Sequence, residues 1–142
     1  MRTLVTLLLL TSAACKGIKS TDVAGVWFLT ADSKERLSLV QQNVSITLIL
    51  DSRGTFEFSQ VPEGLIHSLP QSSDAKITAD GSWNLASRDG STLIDLRFRS
   101  MKEGRDVGYG AHLYVSNSFS PTRLFYFQGD PDQGHRIEFE RR

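Results

Sequence analysis

The chain has 142 residues, with 16 Lys and Arg against 16 Asp and Glu, 39% hydrophobic residues and a single cysteine. Balanced charge with no run of one sign argues against a polyanion-binding module such as a nucleic-acid binder, which shows a basic excess. One cysteine excludes an intrachain disulfide, so whatever core forms is held by packing alone.

The first fifteen residues fall into three parts. Arg2 is a basic start, Leu4 to Leu10 an apolar run, and Thr11-Ser12-Ala13-Ala14-Cys15 a small-residue exit. That order reads as an export signal. The apolar run is too short to cross a bilayer as a helix, which takes about 20 residues. Ser12-Ala13-Ala14-Cys15 resembles the lipobox of bacterial lipoproteins, with Ser12 standing where that family usually has Leu. The resemblance implies cleavage after Ala14, acylation of Cys15 and an anchor in the cell envelope. Lys16 after the cysteine, in place of the Asp that retains such proteins in the inner membrane, implies an outer-membrane address if the source is Gram-negative. The alternative is an ordinary secretory leader and a soluble secreted protein, since Ser12-x-Ala14 also fits the general signal peptidase. Removal of residues 1–14 from the 142 leaves 128, enough for one domain with a core. Residues 15–22 are polar and small and read as lipid attachment and tether, and residues 23–142 as the domain.

The body alternates polar and apolar residues in short segments divided by turn residues, the period of half-buried strands. Eight strands are expected, at Ala24–Thr30, Asn43–Leu50, Thr55–Ser59, Gly81–Leu85, Thr92–Arg99, Ala111–Val115, Arg123–Gln128 and His135–Arg141. Arg88-Asp89-Gly90 is a hairpin signal, because Asp-Gly readily supplies positive φ. Two connections are longer. Ala31 to Gln42 holds either a short helix, capped by Asp32 with Glu35 three residues on, or a further strand. Gln60 to Ala79 reads as a crossing loop, in which Pro62 begins one helical turn through Leu65, Ile66 and Leu69. The fold class is all-β, as a small eight-stranded antiparallel up-and-down barrel or, alternatively, a two-sheet β-sandwich.

Gly25-Val26-Trp27, at the head of the first strand, resembles the Gly-x-Trp that opens lipocalin barrels. There the tryptophan plugs one end and an arginine from a late strand packs across it. Arg136, Arg141 and Arg142 are the candidates for that role.

No chemistry-bearing constellation stands out, and neither an enzyme nor a cofactor or metal is expected. His67, His112 and His135 lie in separate segments without metal-ligand spacing. Asp130-Pro131-Asp132-Gln133-Gly134 lacks the distal ligands of a calcium loop and reads as a turn. The serines sit in no nucleophile motif.

Two surfaces remain. The inward residues Trp27, Phe56, Phe58, Trp83 and Phe98 would line a cavity for a small apolar ligand, as the lipocalin resemblance implies, or would fill a solid core; both need the same side chains. In the sixth strand His112 and Tyr114 face outward, and the seventh is apolar on both faces. An outer patch of His112, Tyr114, Leu124 and Tyr126 is therefore expected, as a contact surface for an envelope protein unless the 62–69 segment covers it.

Overall fold

The structure is a computed structural model, and it describes residues 17–39, 44–62, 64–66, 77–101, 109–116 and 121–142. The elements run α1 (Ser20–Val23), β1 (Gly25–Leu29), α2 (Ala31–Arg36), β2 (Thr47–Leu50), β3 (Thr55–Phe58), β4 (Ala79–Arg88), β5 (Ser91–Met101), β6 (Gly110–Ser116), β7 (Arg123–Phe127) and β8 (Arg136–Arg141). The eight strands pair antiparallel in sequence order. β8 returns to β1 through Trp27↔Arg141, Phe28↔Glu140 and Leu29↔Phe139 and closes the sheet. A closed barrel leaves no strand edge, which distinguishes it from a sandwich.

Turn chemistry sets the registers. Asp89 and Gly90 have φ of 50° and 76°, so the Arg88↔Ser91 pair is closed by a two-residue turn. Pairing directly up to that turn makes β4 longer than the Gly81–Leu85 core that alternation alone marks. The Asp51–Gly54 turn is held by the Asp51 N–H donating to Thr55 O (2.8 Å) and by the Arg53 N–H donating to the Asp51 carboxylate (2.8 Å).

Since every strand reverses direction, α1, the 51–54 turn and the 89–90 turn lie at one end, called here the α1 end. The connections from β1 to β2, β3 to β4, β5 to β6 and β7 to β8 lie at the other, the loop end. α1 occupies part of the segment expected as tether, because the Asp22 carboxylate accepts the Lys19 N–H (2.8 Å) and caps the turn. α2 resolves the helix-or-strand alternative as a helix, with a different cap from the one expected. Thr30, not Asp32, accepts the Ser33 N–H, and the Thr30 hydroxyl bonds the Ser33 hydroxyl (2.9 Å). Ser33 Oγ in turn accepts the Glu138 N–H (2.8 Å), fastening α2 to β8.

The core fills from alternate residues of all eight strands. At the loop end Val61, Leu65 and Ile66 are buried and join that core. They form a turn, with the Leu65 N–H bonded to Pro62 O (3.3 Å), and not the expected helical turn. His67 and Leu69 lie outside the described residues.

Gly81 has a structural task at the middle of the wall. It sits between Phe56 on β3 and Phe98 on β5, beside a bulge in the β4–β5 ladder. A Cβ there would stand 2.0 Å from Arg97 O and 2.8 Å from the Phe56 ring. Its absence lets the Phe56 and Phe98 rings meet edge to face across β4, with centroids 5.1 Å apart.

Candidate functional site

Three regions concentrate aromatic side chains, and each is positioned by the barrel registers. At the α1 end, Trp27 is fully buried and its indole N–H donates to Val23 O (2.9 Å). The guanidinium of Arg141 lies 4.7 Å from the Trp27 ring centre. Arg141 Nη2 also donates to the carbonyls of Asp22 and Ala24, both at 2.9 Å. Among the three arginines compatible with the sequence pattern, Arg141 is thus the one packed across Trp27. Arg136 and Arg142 lie instead over outward rings.

Inside the barrel, the five residues expected to line a cavity are all buried in one core cluster, and its phenylalanine rings meet across the interior. Phe58 on β3 approaches Phe139 on β8 with centroids 6.1 Å apart. Those strands are separated by β1 and β2, so the contact is made through the interior. Phe56 and Phe58 meet edge to face at 5.9 Å, and Phe58 stacks on Phe98 at 6.5 Å. Trp83 anchors the 51–54 turn, its indole N–H donating to Asp51 O (2.9 Å). A cavity able to admit a ligand leaves its lining in contact with space that water can enter. Trp27, Phe56, Phe58, Trp83 and Phe98 retain 0, 2, 2, 5 and 5% exposure.

The outer wall of β5 to β8 carries the third region, and its membership differs from expectation. Leu124 and Tyr126 point inward, are 0% and 4% exposed and belong to the core. The outward residues of β7 are Phe125 and Phe127. Register is the reason: directly opposed residues share a face, and Phe125 pairs with Glu138 while Phe127 pairs with Arg136. Tyr114 is outward as expected and stacks on Phe125 at 5.3 Å. Phe127 closes the cluster edge to face, 5.4 Å from Tyr114 and 5.6 Å from Phe125. The Arg136 guanidinium lies 4.5 Å from the Phe125 centre and 5.4 Å from that of Phe127. Leu93 extends the wall: it pairs with Tyr114 and stands apart from the core cluster although only 1% exposed. Sequence reasoning missed Phe125, Phe127, Leu93 and Arg136. The signal was the alternation of β8, whose charged Arg136 and Glu138 fix which face of β7 lies outside.

His112 is outward too, but it turns to Asp95 on the neighbouring strand (Nδ1 to Oδ1, 2.6 Å) and stands outside the aromatic cluster. Other charges pair along the outer surface, Arg99 with Asp80 and Arg123 with Glu138. Arg53 holds the Asp51 carboxyl below the usual carboxylate range, first through its side-chain hydrogen bonds and next through its backbone N–H. The 130–134 segment is a turn, with the Asp130 carboxylate accepting the Asp132 N–H (2.9 Å) and Gly134 in the left-handed region. Among the described residues no three His, Cys, Asp or Glu side chains converge as a metal site, and no helix is long and apolar enough to cross a membrane. Cys15 and the leader lie outside the described residues.

The chain matches no known family profile, no curated protein and no solved structure.

Proposed function

We propose that the protein is an envelope lipoprotein, anchored through acylated Cys15, whose solid lipocalin-like barrel acts as an interaction module. The surface it presents to another envelope protein is the outer wall of Tyr114, Phe127 and Arg136, with Leu93 and Phe125, 1% and 9% exposed, packed within that wall. One observation carries the reading: aromatic residues fill the inside through contacts such as Phe58–Phe139, while a second aromatic cluster lies outside the sheet. On a soluble barrel the outward positions are ordinarily polar, and aromatic and Arg residues together are the side chains that dominate protein interfaces. The leader pattern supports the anchor, and the packing of Arg141 on Trp27 supports the lipocalin likeness. The test places a photo-crosslinking residue at position 127 in the native host, with position 57 on a different wall as control. A discrete adduct at 127, absent at 57 and lost when Arg136→Ala and Tyr114→Ser are added, supports the module. The same adducts at both positions, or none at 127, would sink it.

A second reading, carriage of a small apolar ligand, draws on the loop end. Leu39, Val44, Ile77 and Tyr109 are only partly buried there, packed against the core, and Gln60 Oε1 is buried without a hydrogen-bond partner. A ligand held there would contact Ile77 and Tyr109. Ile77→Ser and Tyr109→Ser would then weaken its uptake, while the outer-wall substitutions would leave it unchanged.

A further inference from the structure

The outer wall of β1 and β2 differs from the rest of the barrel surface. Val26 and Ile49 face each other across the two strands, and each is 41% exposed. They are the exposed large hydrophobic residues among those described. Phe28, two residues along β1, adds a partly exposed ring with the Arg142 guanidinium 5.1 Å from its centre. Glu57, opposite Ile49 on β3, bounds the patch on its far side.

We propose that this patch rests on the lipid bilayer and sets how the barrel is oriented against it. The proposal builds on acylation of Cys15, and chain length supplies the argument. Cys15 precedes the first residue of α1 by five positions, a span of at most about 17 Å when fully extended. α1 cannot swing away from the barrel, because Arg141 and the Trp27 indole hold its carbonyls. The five-residue β1 is itself roughly 17 Å long, at about 3.3 Å per residue. An acylated chain therefore keeps the α1 end no farther from the membrane than the length of one strand. Val26 lies three residues beyond α1, on the wall by which the chain enters the barrel. Apolar side chains with the exposed cation Arg142 over the Phe28 ring, and Glu140 opposite Phe28, suit the boundary between acyl chains and headgroups, where a long basic side chain reaches the phosphates. β2 and β6 stand four strands apart in the ring of eight. A barrel seated on its β1–β2 wall thus turns the Tyr114–Phe125–Phe127 cluster away from the lipid and toward a partner.

Because Cys15 is the only native cysteine, acylation leaves the protein without a thiol, and an introduced cysteine can be labelled alone. Val26→Cys, Ile49→Cys and, on the opposite wall, His112→Cys are purified in acylated form from the native host. Each carries an environment-sensitive fluorophore and is reconstituted in phosphatidylethanolamine–phosphatidylglycerol vesicles containing nitroxide lipid. Acylation of each sample is read by mass spectrometry, and co-flotation with the vesicles confirms attachment. Probes at 26 and 49 are expected to shift to the blue and lose most of their emission to the lipid-borne nitroxide. The probe at 112 should respond to aqueous iodide instead. Acylated, co-floating protein whose probes at 26 and 49 behave like that at 112 would overturn the patch and leave the anchor standing. Unacylated Cys15 in the native host would overturn both.

Discussion

Arg141 packs its guanidinium 4.7 Å from the centre of the Trp27 ring while one of its nitrogens binds two carbonyls of the segment entering β1. The last strand thereby clamps the first, and the clamp closes the barrel at the end where the chain arrives. Directly paired across the β1–β8 seam, the two residues couple closure of the sheet to capping of its core. Arg141→Ala should cost about 1–3 kcal/mol in urea unfolding, from two lost charged hydrogen bonds and the ring contact. Arg142→Ala, removing a cation from a partly exposed ring, should cost less than about 1 kcal/mol.

Ser33 is 1% exposed and bridges Thr30 to the backbone of β8. Ser33→Ala leaves the Glu138 N–H without its acceptor and should destabilise by about 1–3 kcal/mol, the cost of a buried unsatisfied group. The loss should appear in hydrogen exchange first at the Glu138 amide and then along α2.

Gly81→Ala should be the most damaging single-methyl change in the barrel. The new Cβ meets a backbone oxygen at 2.0 Å, which no side-chain rotation relieves. A loss of about 3 kcal/mol or more is expected in denaturant unfolding. Phe56→Leu, which trims the other contact, should not rescue it, because the clash with Arg97 O persists.

Asp51 titrates below the ordinary aspartate range because Arg53 stabilises its charged form. A depressed folded-state pKa gives a contribution that is present above the unfolded-state value, near 4, and is lost as pH falls through the folded value. Carboxylate NMR should therefore show Asp51 titrating below the ordinary aspartate range. Arg53→Ala should raise it without restoring it fully, since the backbone N–H of residue 53 still donates.

The strands and their order were legible in the sequence because most of them carry one apolar face and one polar face. The clearest is Ile94, Leu96 and Phe98 against Asp95, Arg97 and Arg99, and it appears in the barrel with the first set buried. β7 was ambiguous for the converse reason: Leu124-Phe125-Tyr126-Phe127 is apolar on both faces, and alternation cannot choose a side. Only pairing with β8 decides it, placing Leu124 and Tyr126 inside and Phe125 and Phe127 outside. The cap of α2 was misread because Asp32 and Glu35 satisfy a local motif, whereas Thr30 gains a second bond from Ser33 and Ser33 a third from β8. That advantage is tertiary and invisible to spacing. Hollow and filled barrels share one pattern of inward residues, so the filling by Phe56, Phe58, Phe98 and Phe139 emerges only from ring positions.

Titration of the folded protein with an apolar fluorescent fatty acid probes the packed interior itself. Trp27 and Trp83 are both in the core and report on anything that enters. A packed interior gives no saturable quenching of their emission and no change in unfolding midpoint with added ligand. One-to-one saturable quenching, with a midpoint that rises with ligand concentration, would contradict it and make carriage inside the barrel the working function.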